Sequence, residues 1–162
     1  MNYQKFFNQY SVSIFNLLKK VDTNLINISV EMIKKVKKNN GKVYIVGNGG
    51  SASIASHVSV DFAKVSNIPS STFNNSNLIT CFSNDFGYEN WVKEAIKAYT
   101  SKSDLFILMS SSGTSPNIVN AAKYCKENNL DLITLSGFKT KNLLSQFGKV
   151  NFHVSSENYN FI

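Results

Sequence analysis

The chain has 162 residues, 43% of them hydrophobic and 17% charged, with a net charge of +7. That is enough apolar material for a core and too little charge for a disordered chain, and no run of apolar residues is long enough to span a membrane. All 17 positive charges are lysines, which excludes arginine forks for gripping phosphate, carboxylate or guanine.

The first 40 residues contain no glycine or proline and read as two amphipathic helices. Phe6, Phe7, Tyr10, Ile14, Leu17 and Leu18 recur at steps of three and four. Leu25, Ile28, Met32, Ile33 and Val36 do the same after a break at Asp22-Thr23-Asn24, where Asp22 or Thr23 can cap the second helix. Two such stripes need cover: a sheet face for one and a partner subunit for the other. The run Lys34-Lys35-Val36-Lys37-Lys38 reads as a solvated helix face, not a nucleic-acid surface. The N-terminus lacks the charge order and small-residue cleavage site of a secretory signal. With Cys81 and Cys125 read as free thiols, this leads to an expected cytoplasmic location.

Asn39-Asn40-Gly41 ends the second helix, with Gly41 expected as a left-handed cap. Strand, loop and helix then alternate. Short buried strands are expected at 42–46, 105–109, 131–135 and 150–154, with a weak edge strand at 71–73. Helices are expected at 52–64, 90–98, 117–128 and, briefly, 142–147. Continuous apolar strands alternating with helices imply an α/β domain of three layers, a five-stranded parallel sheet flanked by helices, behind an N-terminal helical extension. One domain is expected over residues 1–162. Residues 1–40 would serve packing and oligomerisation, and 41–162 would form the α/β core.

In such a sheet, ligands bind at the carboxyl ends of the strands. Gly47-Asn48-Gly49-Gly50-Ser51-Ala52 joins a strand to a helix there and lets backbone approach a ligand. Its spacing also satisfies a dinucleotide fingerprint, but no carboxylate ends a following strand; no GK[ST] follows for a nucleotide P-loop either. Ser110-Ser111-Ser112-Gly113-Thr114-Ser115-Pro116-Asn117 again joins strand to helix. Five hydroxyls and several amides gather at the positive end of a helix that Pro116 suits, which is how an uncharged loop can hold a phosphate monoester. Ser83-Asn84-Asp85-Phe86-Gly87-Tyr88-Glu89 places two carboxylates and an amide around a glycine turn, or starts a capped helix. His57 and Asp61 are four apart, so they share a helical face and can hold a metal, relay a proton or simply pair on the surface. His153 falls in a strand and reads as a core or edge residue.

GNGGSA at 47–52 with His57, SNDFGYE at 83–89 and SSSGTSPN at 110–117 together resemble the sugar isomerase (SIS) domain, and within it the phosphoheptose isomerases. The resemblance runs from about Lys42 to Ser156. It implies a ketose–aldose isomerase acting on a sugar phosphate, sedoheptulose 7-phosphate to heptose 7-phosphate for surface polysaccharide, through an enediol. It also implies a homotetramer with active sites between subunits. By the same resemblance, Ser110, Ser111, Ser112 and Ser115 hold the phosphate, while Asn48, Gly49, Gly50, Ser51, Asn84 and Asp85 line the sugar. Asp61 stands at the position of the base, with His57 as relay or ligand, and a zinc ion, one per subunit, is implied at His57 and Asp61. Two departures are visible. The family's base is a glutamate, and Asp61 is one methylene shorter, about 1.5 Å of reach, a shift that can cost on the order of a hundredfold in rate. The family's last helix, with its glutamine and histidine, is expected to be missing after Ile162. A phosphosugar-binding module without turnover is therefore the alternative, and a DNA-binding regulator is disfavoured because 40 residues are too few for a helix-turn-helix domain.

Overall fold

The structure, a computed structural model, describes residues 2–138 and 142–162. Helix α1 (Tyr3–Leu18) starts at Asn2, whose side chain accepts from the Lys5 amide. Helix α2 (Thr23–Lys38) starts at Asp22, whose carboxylate accepts from the Asn24 amide at 2.8 Å, as the sequence predicts. Then follow β1 (Val43–Val46), α3 (Gly50–Lys64), β2 (Ser70–Ser71), α4 (Ser76–Phe86), α5 (Trp91–Tyr99), β3 (Leu105–Ser110), α6 (Pro116–Glu127), β4 (Asp131–Gly137) and β5 (Val150–Val154), with 3-10 turns at Leu144–Gln146 and Tyr159–Phe161.

The five strands are all parallel and lie in the order β2-β1-β3-β4-β5. Alternate residues face opposite layers. Val43 and Ile45 of β1 and Leu105 and Met109 of β3 pack with Val36 of α2 and Ala55 of α3. Tyr44, Val46, Phe106 and Leu108 pack with Trp91 and Ile96 of α5 and with Ile118, Ala122 and Cys125 of α6. The molecule is thus three-layered, with α2 and α3 on one face and α4, α5 and α6 on the other. Each fully buried large side chain supplies about 1.5–3 kcal/mol of transfer free energy. Cys81 is exposed and Cys125 buried, both unpaired. Burial pushes the Cys125 thiol up to about 12, so it acts as a neutral core filler.

Four expectations need correction. Gly41 is not the left-handed cap: Asn40 takes that conformation at φ +53°, and the Gly41 amide closes the turn on the Val36 carbonyl at 2.9 Å. Gly41 is required for another reason, since a Cβ there would lie 2.0 Å from the Ser103 carbonyl oxygen. Residues 83–86 neither stand free around a glycine turn nor start a helix: they are the last turn of α4, which ends at Gly87 with φ +81°. The edge strand is Ser70–Ser71, slightly earlier and shorter than expected, and the region 142–147 holds a single 3-10 turn.

Candidate active site

Strands β1 and β3 are neighbours in register, Val46 beside Leu108. From their carboxyl ends the chain departs to opposite faces: β1 leads into α3 on one side, β3 into α6 on the other. Adjacent loops that diverge in this way leave a crevice at the point where strand order reverses. The glycine loop after β1 and the serine loop after β3 form its two lips.

A cavity of about 230 Å³ occupies this crevice. Asn48 and Ser51 line it from the glycine loop; Ser110, Ser111, Ser112 and Ser115 line it from the serine loop. Met109, Phe138 and Tyr159 complete the wall. Among the described residues the lining carries no charged side chain. An anion here would be held by hydroxyls, amides and the positive ends of α3 and α6. Neither helix has a side-chain cap, although α6 starts at Ser115.

The serine loop is tightly organised. The Ser110 hydroxyl donates to Ser115 Oγ at 3.0 Å and accepts from the Gly113 amide at 3.1 Å. Ser112 Oγ accepts from both the amide and the hydroxyl of Thr114. Gly113 sits at φ +65°, and a Cβ there would lie 2.1 Å from the Asn142 side chain. Asn142 in turn donates to Ser136 Oγ at 3.0 Å, and Ser136 lies 3.3 Å from His153 Nδ1. The Leu144 amide donates to the Gly113 carbonyl at 3.0 Å. His153, expected as a core or edge residue, is on edge strand β5 and braces the floor beneath this loop.

The two lips are locked together. Asn48 Nδ2 donates to Asn117 Oδ1 at 3.0 Å, and Asn117 Nδ2 donates back to Asn48 Oδ1 at 2.9 Å. Asn117 is 1% exposed. The Tyr88 hydroxyl donates to Asn48 Oδ1 at 3.4 Å, and Asn74 Nδ2 donates to the Gly47 carbonyl at 3.0 Å. Gly49 adopts φ +54° and Gly50 begins α3; both are exposed, with open space where a Cβ would be. Asn117 and Tyr88 lie inside motifs the sequence singled out but were given no role there; Asn74, Met109, Phe138 and Tyr159 were missed, and no local pattern marks them.

Other predicted residues lie elsewhere. Asn84 Nδ2 donates to Asp85 Oδ1 at 2.9 Å on the exposed last turn of α4, outside the cavity lining. His57 Nε2 lies 3.4 Å from Asp61 Oδ2, with the two side chains 79% and 53% exposed. On an α-helix, Asp61 is about 15 Å along the axis from Ser51, too far for both to touch one small molecule within a single chain. Among the described residues, no group of three or more His, Cys, Asp or Glu gathers to hold a metal ion. Two exposed donors do not meet the four-ligand need of zinc, so the described residues of one chain do not fit that cofactor.

A family profile described as the SIS domain matches residues 6–137. The chain belongs to the SIS domain family. This SIS domain is 38% identical over 128 residues to phosphoheptose isomerase 2 of Campylobacter jejuni, a match covering 72% of the chain and 62% of that relative. It is 33% identical over 109 residues to the phosphoheptose isomerase of Aneurinibacillus thermoaerophilus, covering 64% of the chain and 55% of that relative. The chain thus spans less than two thirds of the length of these curated relatives. Its fold is that of phosphoheptose isomerase GmhA from Neisseria gonorrhoeae, with a TM-score of 0.87 at 20% identity over 99% of this chain and 90% of that one. Among the described residues, no helix of this SIS domain is long and apolar enough to cross a membrane.

Proposed function

We propose that this SIS domain binds a sugar phosphate and interconverts its ketose and aldose forms, with sedoheptulose 7-phosphate as substrate and heptose 7-phosphate as product. The observation that carries the reading is the meeting of the serine and glycine loops in one uncharged, hydroxyl-lined cavity. The curated relatives named phosphoheptose isomerase support the substrate. Ser110, Ser111, Ser112 and Ser115 take the phosphate, while Asn48, Gly49, Gly50 and Ser51 face the sugar. Asp61 removes the proton from the hydroxyl-bearing carbon beside the carbonyl while the carbonyl oxygen takes up a proton, giving the enediol. The neighbouring hydroxyl then gives up its proton as it becomes the new carbonyl, and Asp61 returns its proton to the former carbonyl carbon, with His57 steadying the Asp61 carboxylate. Because His57 and Asp61 stand well along α3 from the cavity, they serve the cavity of a neighbouring copy, as do Asn84 and Asp85. The working form is accordingly a homo-oligomer, a tetramer by the resemblance, in the cytoplasm and feeding surface polysaccharide. Any zinc at His57 and Asp61 would take its remaining ligands from beyond the described residues of one chain.

A second reading, a phosphosugar-binding module without turnover, is favoured by one observation: the binding loops are assembled while the His57–Asp61 pair is exposed and unsupported. Incubation with sedoheptulose 7-phosphate, with and without added zinc, separates the two. An aldose product abolished by Asp61→Asn supports the isomerase. Calorimetric binding with no product supports the module, and no binding overturns both.

A further inference from the structure

Two aromatic side chains border the cavity without belonging to either loop. Phe138 follows β4, and Tyr159 belongs to the 3-10 turn Tyr159–Phe161. Their ring centroids are 6.3 Å apart with planes 24° apart, the spacing of an offset stack. Tyr159 is nevertheless 67% exposed.

The pair is held in place from several directions. Phe138 adopts φ +55°, a left-handed conformation that bulky side chains rarely take and that clusters at ligand clamps. In the turn that carries Tyr159, the Asn158 side chain accepts from the Asn160 amide at 3.0 Å. Ile162 fills the space where a Cβ on Gly137 would stand, 2.2 Å from its side chain. Phe161 packs on Tyr10 of α1 at 5.0 Å, and the Tyr10 hydroxyl donates to the Asn160 carbonyl at 3.4 Å.

We propose that Phe138 and Tyr159 form a specificity wall that receives the carbon face of a phosphorylated polyol, so that the cavity prefers a sugar phosphate to inorganic phosphate. This rests on the reading in which the serine loop takes the phosphate. The cavity of about 230 Å³ has the volume of some seven or eight waters at ~30 Å³ each, more than a phosphate group needs. It is smaller than the ~300–1,000 Å³ typical of pockets for drug-sized ligands, which disfavours a nucleotide. Beside the serines the wall is made by Phe138 and Tyr159 with Met109. A polyol chain presents C–H groups on its faces and hydroxyls on its edges. An aromatic face, with its negative quadrupole, covers those C–H groups while the hydroxyls turn to Asn48 and Ser51.

Calorimetry on the full chain with two probes, sedoheptulose 7-phosphate and sodium phosphate, tests the wall. Wild type is expected to bind the sugar phosphate more tightly. Phe138→Gly, which also relieves the left-handed strain, and Tyr159→Ala, at an exposed position, should each weaken the sugar phosphate about tenfold. Both should leave inorganic phosphate within about twofold of wild type, and Tyr159→Phe, which keeps the ring, should stay near wild type for both probes. Equal weakening of both probes, no weakening of either, or equal wild-type affinity for the two overturns the wall while leaving the phosphate loop standing. A loss in Tyr159→Phe as large as in Tyr159→Ala also overturns it, because the hydroxyl would then be the recognised group. Wild type binding neither probe overturns the phosphate loop and the wall together.

Discussion

At Gly113 two demands coincide: a positive φ and no room for a Cβ beside Asn142. Gly113→Ala should therefore cost about 1–3 kcal/mol in chemical denaturation and displace the loop enough to abolish phosphate binding. Asn117 tests the lock between the loops. Asn117→Asp keeps the acceptor for Asn48 Nδ2 but loses the donor to Asn48 Oδ1. It also brings a negative charge to the cavity's edge, and it should weaken phosphate binding at least tenfold, roughly 1.4 kcal/mol, while Asn120→Asp one turn along α6 should not. Asp131 offers a pH signature. Burial alone would raise its carboxyl, but hydrogen bonds from Lys149 and Lys35 and their charges outweigh it and hold the carboxyl below its ordinary value. A group lowered by folding adds stability above its unfolded value, near about 4, and that stability is lost as pH falls through the folded value. With both lysines more than half exposed and screened by solvent, urea melts of Asp131→Asn should show a deficit of about 0.5–1 kcal/mol at neutral pH that closes in acid below about pH 4. A deficit that is constant with pH would mean the residue acts through packing alone.

The serine and glycine loops were legible as elements because each is a run of one residue kind between an apolar strand and a helix start. Helix α4 was harder to see. Its signal was present in Asn75, which accepts from the Asn77 and Leu78 amides, and in Leu78, Ile79 and Phe82 on one face. The polar run Asn74-Asn75-Ser76-Asn77 at its start and the glycine after it left residues 74–82 without an expected element. Asn75→Ala should cost about 1 kcal/mol in thermal or urea unfolding, the usual worth of a lost cap. Asn77→Ala, inside the first turn, should be nearly neutral. The wall and the lock were illegible for a different reason. Asn48 and Asn117 are 69 residues apart, and Phe138 meets Tyr159 only once β4 and β5 have brought their loops together. No periodicity reports a contact made by topology, so sequence patterns found the loops but not the residues that clamp them.

At the scale of the molecule the outstanding feature is α1. It is 16 residues long with no buried residue, and Phe6, Phe7, Phe15 and Leu18 are each more than half exposed. A 16-residue helix is marginal alone in water, and its stability must come from packing. Within one chain its side-chain contacts include the ring contact and hydrogen bond of Tyr10 with the segment that carries Tyr159. Ile54 and Val60 are further exposed apolar side chains on α3, on either side of His57 and Asp61 around the helix. A second copy covering α1 and this part of α3 would bury these apolar side chains and bring the His57–Asp61 pair toward a cavity, joining the assembly to the chemistry. Light scattering coupled to size exclusion should then give a mass above the 18.1 kDa of one chain. Phe7→Asp with Phe15→Asp should reduce that mass toward the monomer and remove isomerisation, while the serine loop still binds inorganic phosphate within about threefold of wild type. A monomeric wild type with full turnover would break this link and require the base to be sought within the cavity of the same chain.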